Sequence, residues 1–343
     1  MIKNLIVLAI SIIILLSGCD DEKIVGDVIV NQKFLIAVES DSPKLILYDK
    51  NDGILSHDIY FEKNGKTLPA NISKITEYGG MLFLLMPSDY KIEVIDKETF
   101  VSKKTFDFTD DLLEPTDICF ANATDAYVCH GNDSVLTLLD IYNLEPARVI
   151  SVGKNPVSIA CAGNQIFVTN QTDNTVSIVD SRTHTQEAVI NVTTAPSLAA
   201  VSDDFEKALI ISLGKGKLTD SQPKTAAKAT FIDVKTRKIT SSNELGTLKT
   251  DPVQQYPVKL VITNNDWAYI QTKTLMLRLD AKRESGINTI YDKYYKDIIY
   301  YKLKNQLIII DDEENEITVT NAENAGKVYS FRINSIISTA YSL

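Results

Sequence analysis

The chain has 343 residues, 44% of them hydrophobic and 23% charged, with a formal net charge of −10 and a pI of about 4.9. That composition is globular rather than disordered or fibrous, and the length holds one large domain or two ordinary ones. An acidic surface repels phosphate backbones and releases no counterions on meeting them, which excludes nucleic acid as a partner.

Residues 1–19 read MIKNLIVLAISIIILLSGC. Lys3 supplies a positive start, Leu5–Leu16 an apolar stretch of about a dozen residues, and Ser17-Gly18 the small residues before a break in composition. The apolar stretch is short for a membrane span, although an uncleaved signal anchor is the alternative. The LSGC ending resembles the lipobox of bacterial lipoproteins, and that resemblance implies a lipid on Cys19 and a mature chain starting there. The expected plan is therefore a signal peptide over 1–18, a lipidated Cys and acidic tether over 19–33, and one domain over 34–343. Without Lys3, 34 basic residues face 45 acidic ones, a net charge of −11. Asp20, Asp21 and Glu22 follow the Cys. In enteric lipoproteins an Asp there resembles an inner-membrane retention signal, and in Bacteroidetes-type lipoproteins an acidic cluster resembles a surface-export signal. The expected address is the cell envelope, the outer membrane ahead of the periplasmic face of the inner one.

Beyond the tether one pattern recurs. Short apolar runs fall at Leu35, Phe83, Tyr127, Phe167, Leu209, Tyr269 and Leu307, spaced 48, 44, 40, 42, 60 and 38 residues apart. Six are followed by an apolar residue and Asp: Asp49, Asp96, Asp140, Asp180, Asp233 and Asp280; the seventh has Asn321. Seven strand-rich units of roughly forty residues predict an all-β fold, a seven-bladed β-propeller of four-stranded antiparallel blades. Each unit carries a run ahead of its anchor, the innermost strand: 72–77, 116–121, 157–162, 197–202, 258–263 and 297–302. The run 335–341 has no anchor after it, so the C-terminal strand is expected to join Leu35–Val38, Leu45–Tyr48 and Asp58–Phe61 and close the ring. Val28–Val30 is the rival closing strand, and two β-sandwiches are the rival architecture. The recurring Asp or Asn suits a tight turn, since its short side chain bonds backbone two residues on.

FVTN, NTVSIVD and SVGKNPVSIACAGNQIFVTN, over 151–180, resemble the YVTN family of seven-bladed propellers, similar to surface-layer and YncE-like proteins. The match is good over about 127–212. Blade 5 departs from it through an insertion over 213–229 that carries Lys215, Lys217, Lys224 and Lys228 against only Asp220. The resemblance implies fold rather than activity, because propellers host many chemistries.

Three histidines, His57, His130 and His184, show no local zinc spacing, and no GxSxG, Walker, Rossmann, haem or EF-hand pattern occurs. No metal and no cofactor is expected. His130, Asn132, Asn170 and Asp173 fall in loops after the anchor strands, where they would bind a polar ligand or serve as plain turns. Lys215 and Lys217 offer a basic flap or a solvated loop. Tyr294 and Tyr295, in YDKYYKDIIYY, would stack on a flat ligand or pack. In an oxidising envelope a Cys119–Cys129 bridge across the Asn-Ala-Thr-Asp turn is one expectation, with Cys161 left free; three reduced cysteines packed as small apolar residues is the other.

These readings favour a non-enzymatic, lipid-anchored propeller, monomeric unless bound to a partner, that presents one concave face to a small molecule or an envelope protein. Surface lipoproteins of gut bacteria that capture corrinoids for an outer-membrane transporter are similar in plan. An envelope scaffold and a propeller-type lactonase or hydrolase are the alternatives.

Overall fold

The computed structural model describes residues 32–214, 225–245 and 256–343. In chain order, β1 (Lys33–Val38), β2 (Lys44–Asp49) and β3 (Gly53–Ser56) are followed by a short helix, α1 (Ile59–Asn64). Blade 2 holds β4 (Lys74–Tyr78), β5 (Met81–Met86), β6 (Lys91–Asp96) and β7 (Ser102–Asp107). Blade 3 holds β8 (Pro115–Phe120), β9 (Asp125–His130), β10 (Val135–Asp140) and β11 (Glu145–Ser151). Blade 4 holds β12 (Pro156–Ala162), β13 (Gln165–Asn170), β14 (Thr175–Asp180) and β15 (Thr185–Asn191). Blade 5 holds β16 (Pro196–Val201), β17 (Lys207–Ser212), β18 (Lys228–Asp233) and β19 (Lys238–Glu244). Blade 6 holds β20 (Pro257–Ile262), β21 (Trp267–Thr272), β22 (Met276–Asp280) and β23 (Ser285–Tyr291). Blade 7 holds β24 (Asp297–Tyr301), β25 (Gln306–Asp311), β26 (Glu316–Asn321) and β27 (Lys327–Arg332).

The last strand, β28 (Ile337–Ser342), pairs antiparallel with β1, Leu35 opposite Tyr341, and completes blade 1. The fold is thus a seven-bladed β-propeller whose ring the C-terminal strand closes. Gln32 seals that joint. Its side chain donates to Ser342 Oγ at 3.1 Å and accepts from the Tyr329 hydroxyl at 2.8 Å. Gln32 and Lys33, assigned to the tether from the sequence, belong to the ring.

Blades pack face to face, so each second strand is buried on both sides and reads as an unbroken apolar run, as in MLFLLM and KALIIS. The two-residue period then splits one strand between two interfaces. Phe34 and Ile36 pack with Ile308 and Ile310 of blade 7, whereas Leu35 and Ala37 pack with Leu82 and Leu84 of blade 2. Seven such clusters fill the seven interfaces.

The recurring Asp is a turn device. Asp49, Asp96, Asp140 and Asn321 each accept, through Oδ1, backbone N–H groups two and three residues on. Four residues past each Asp or Asn the chain enters the left-handed region, at Gly53, Phe100, Leu144, His184, Arg237, Glu284 and Ala325.

One predicted strand is wrong. Asp58–Phe61 is not the fourth strand of blade 1; β3 fills that place, and the residues after it turn into α1. Asp58 caps the helix by accepting Phe61 N, and Gly65, left-handed at φ 64°, ends it. The helix is latched through Tyr60, whose hydroxyl donates to the buried carboxylate of Glu93 at 2.9 Å; Ser102 and Thr105 donate to the same group.

Antiparallel order creates two rims. First-to-second hairpins and the Asp turns occupy one, the turn rim, where the chain enters at Gln32. Second-to-third hairpins and the blade-to-blade connections occupy the other, the loop rim, and bond to each other there. Asn132 accepts Glu114 N at 3.1 Å, Asp173 accepts Lys154 N at 2.8 Å, and Asn174 accepts Ala195 N at 2.8 Å.

Candidate functional site: the charged mouth of the central channel

The seven innermost strands, β4, β8, β12, β16, β20, β24 and β28, line a central channel of about 480 Å³. Strand register places one residue of each at the same height, opposite the fifth residue of its second strand. These are Lys74, Asp117, Ser158, Leu198, Lys259, Asp297 and Thr339. Four of these strands open on a proline, and the register shifts between that proline and the residue two places on, at Pro115/Asp117, Pro156/Ser158, Pro196/Leu198 and Pro257/Lys259. A bulge of this kind re-aims the following side chain. The ring of seven lies near the start of the inner strands, just inside the loop rim.

Its charges come in two pairs. Lys74 of blade 2 contacts Asp117 of blade 3, and Lys259 of blade 6 lies 3.1 Å from Asp297 of blade 7. Asp117 also accepts Ile118 N at 2.9 Å, Ser158 Oγ at 2.9 Å and Ile159 N at 3.1 Å. Four donors fill a carboxylate's lone-pair sites. Asp297 accepts Ile298 N at 2.9 Å and the Thr339 hydroxyl at 2.7 Å besides its lysine. The carboxylates are only 13% and 6% exposed, while the lysine side chains are 41% and 36% exposed. Burial works to lower the Lys74 pKa, but the charge and hydrogen bond of Asp117 outweigh it and leave the pKa raised. The mouth therefore holds two locked carboxylates and two accessible ammonium groups.

Deeper in, the channel becomes aromatic. Tyr300 and Tyr341 line it, and the Tyr341 hydroxyl donates to Glu77 at 3.0 Å. At the turn-rim end Tyr78 stacks on Phe120 with centroids 4.5 Å apart. Lys302 reaches Asp203 at 2.6 Å, a bridge from blade 7 to blade 5 past blade 6.

The sequence-predicted ligand residues stand elsewhere. His130 is fully buried at the end of β9, its Nε2 2.8 Å from Thr137 Oγ1 and its ring edge-on to Phe108. Burial pulls its pKa down to about 4. Asn170 holds the equivalent place in blade 4, fully buried and donating to Ser177 Oγ at 2.8 Å and Thr175 Oγ1 at 3.0 Å. Gly153 packs on it so closely that a Cβ would come within 2.6 Å. Neither side chain is free for a ligand, because the sixth residue of a second strand points between blades. Asn132 and Asp173 lie exposed on the loop rim, each in one of the loop-to-loop bonds described above; Asn132 also donates to Leu112 O. Tyr295 packs edge-on to Tyr291, centroids 5.7 Å apart, in the core between blades 6 and 7, and Tyr294 is half-buried beside it. Lys215, Lys217 and Cys19 lie outside the described residues.

The expected Cys119–Cys129 bridge is replaced by a Cys119–Cys161 disulfide, with Cα atoms 5.8 Å apart, and Cys129 is buried and free. Register explains the difference. Cys119 stands opposite Tyr127, and Cys129 opposite Asp117, so the two are diagonal neighbours two residues out of step. Cys161 stands opposite the second residue of β13 and Cys119 opposite the third residue of β9. That odd offset turns the side chains of β8 and β12 toward each other across the seam of blades 3 and 4. Burial, followed by the charge of Asp117, pushes the Cys129 thiol well above its ordinary pKa.

Among the described residues no three or more His, Cys, Asp or Glu gather to hold a metal ion, and no helix is long and apolar enough to cross a membrane. The mouth residues escaped the sequence reading although a signal existed: each of four inner strands reads Pro-x followed by the mouth residue, in PTD, PVS, PSL and PVK.

No family model matches the chain, and no curated protein matches it. Among solved structures it is similar to a candidate 6-phosphogluconolactonase from Bacteroides uniformis ATCC 8492, at 11% identity and a TM-score of 0.66 over 91% of this chain and 99% of that one. It is also similar to Kuenenia stuttgartiensis hydrazine synthase, at 14% identity and a TM-score of 0.60 over 74% of this chain and 77% of that one. At these identities both are likenesses of fold.

Proposed function

We propose that the protein is a ligand-binding propeller of the bacterial cell envelope, carried on a lipid at Cys19, whose ligand enters the central channel from the loop rim. The observation behind this reading is the ring of seven residues at the mouth, where strand register alone brings charges from four blades onto one cavity. Its volume, about 480 Å³, suits a small molecule. A cross-blade disulfide fits the oxidising compartment that the LSGC motif implies. The described chain enters the ring at Gln32, on the turn rim, the end opposite the charged mouth. The YVTN-like repeats and the acidic cluster after Cys19 fit nutrient capture at the outer membrane. A corrinoid, if it is the nutrient, would rest on the rim rather than enter.

Binding is preferred to turnover because the oxygens of both carboxylates at the mouth already accept from three or four donors, which occupies the atoms that would have to take a proton from water. Thermal melts of the full chain across corrinoids, haem, glycans, and phosphorylated and carboxylated small molecules test the proposal. One compound class should raise the melting temperature with increasing concentration. Hydrolysis of a lactone or ester panel, lost when Asp117 or Asp297 is changed, would favour an enzyme instead. Metabolic labelling with a fatty-acid analogue, lost in Cys19→Ser, tests the anchor.

A further inference from the structure

We infer that the channel mouth takes a small oxyanion, a carboxylate or phosphate group, held between the ammonium groups of Lys74 and Lys259. This rests on the reading of the mouth as a binding site and names the chemistry of what it binds.

Donor–acceptor balance at the mouth points to this class. Asp117 and Asp297 have spent their oxygens on backbone amides, hydroxyls and one lysine each. An ammonium group carries three donors and no acceptor. Among the described residues each lysine gives one to its aspartate, so the remaining donors face the channel, and a ligand there meets donors rather than acceptors. Exposure agrees, since the lysine side chains are open and the carboxylates are not. Blades 2 and 6 lie nearly opposite, separated by blades 7 and 1 on one side and by blades 3, 4 and 5 on the other. An oxyanion between them would accept from both ammonium groups. Leu198, the one apolar residue in the ring, leaves the wall between Ser158 and Lys259 without a competing charge. Asp117 explains how Lys74 stays charged in a confined channel, since its charge and hydrogen bond outweigh burial and leave the lysine pKa raised. Lys259 has a carboxylate in the same relation, Asp297 at 3.1 Å.

Titration calorimetry of the full chain with inorganic phosphate, succinate and glucose 6-phosphate, with glucose as the neutral control, tests the inference. At least one anion should bind and glucose should not. Because a buried aspartate left without its lysine is destabilising, each pair is neutralised together, as K74M with D117N and K259M with D297N. Either double variant should weaken the anion about tenfold to a hundredfold. In the unaltered protein, saturating anion should slow acetylation of Lys74 and Lys259 by an amine-reactive reagent relative to Lys44 and Lys63 on the outside. Failure of all three anions to bind overturns the inference, as does binding that both double variants retain or that leaves the two lysines unprotected. Binding of a neutral compound lost in Leu198→Trp, without anion binding, would overturn the oxyanion assignment and leave the mouth as a binding site.

Discussion

Ser158 Oγ donates to Oδ2 of Asp117 at 2.9 Å and itself accepts the backbone N–H of Ala199 at 3.1 Å. One side chain on blade 4 thereby ties blade 3 to blade 5 at the lip of the channel, and it orients the carboxylate that in turn holds Lys74. Ser158→Ala should strip a donor from a mostly buried carboxylate and leave the Ala199 amide without its acceptor. The expected loss is about 1–3 kcal/mol, read from urea unfolding. A change within a few tenths would mean the link carries no load.

The same seam holds the Cys119–Cys161 disulfide. Peptide mapping without reductant should recover these two cysteines in one cross-linked species, in wild type and in Cys129→Ala alike. Cys161→Ser should cost roughly 2–4 kcal/mol, the usual effect of closing a loop of this size. A Cys119–Cys129 peptide would contradict the register described above.

Acid should destabilise the ring in two separate windows. His130 is buried and neutral, with its pKa lowered to about 4 from an ordinary 6.5. A folded pKa below the unfolded one means stability is complete above pH 6.5 and is lost as pH falls toward 4. The turn carboxylates Asp96, Asp140, Asp180 and Asp233 are also lowered, by backbone and side-chain hydrogen bonds within their turns and, for Asp180, chiefly by Arg182. Their contribution is present above the unfolded value of about 4 and disappears below it. Melting temperature followed from pH 7 to pH 2 should decline in both ranges. His130→Asn, which copies Asn170 of blade 4, should flatten only the upper one; unchanged slope there would remove His130 from the explanation.

Tyr60→Phe should release the latch of α1 on Glu93. A hydrogen bond to a buried charged group is worth about 1.5–3 kcal/mol. Hydrogen exchange should quicken in residues 59–64 ahead of β6, whereas uniform quickening would show that the helix and the blade open together.

How much the sequence discloses depends on what each residue answers to. Second strands such as Lys207–Ser212 are buried on both faces in every blade, so they recur as apolar runs and the repeat is visible. Asp49, Asp96 and their equivalents recur because each turn needs the same acceptor. Asp58 misleads because a helix cap and a turn draw on the same residue types, and the next blade was needed to show where Tyr60 goes. The channel mouth was illegible for the opposite reason. Lys74, Asp117, Ser158, Leu198, Lys259, Asp297 and Thr339 share a height but no residue type. The Pro-x before four of them marks a position without marking a site, and the pairing of first with second strands is what gathers all seven. His130 and Asn170 precede loops, a place that predicts exposure, but the sixth position of the second strand points into the interface between blades.

The most direct measurement compares the full chain with Leu198→Trp, which narrows the mouth while keeping all four residues of the ion pairs, by thermal melts against the same compound classes. At least one class should stabilise the unaltered protein in a concentration-dependent way, and the variant, melting within a few degrees of it when unliganded, should lose that response. Equal stabilisation of both proteins, or no stabilisation by any class, would contradict a binding site in the channel.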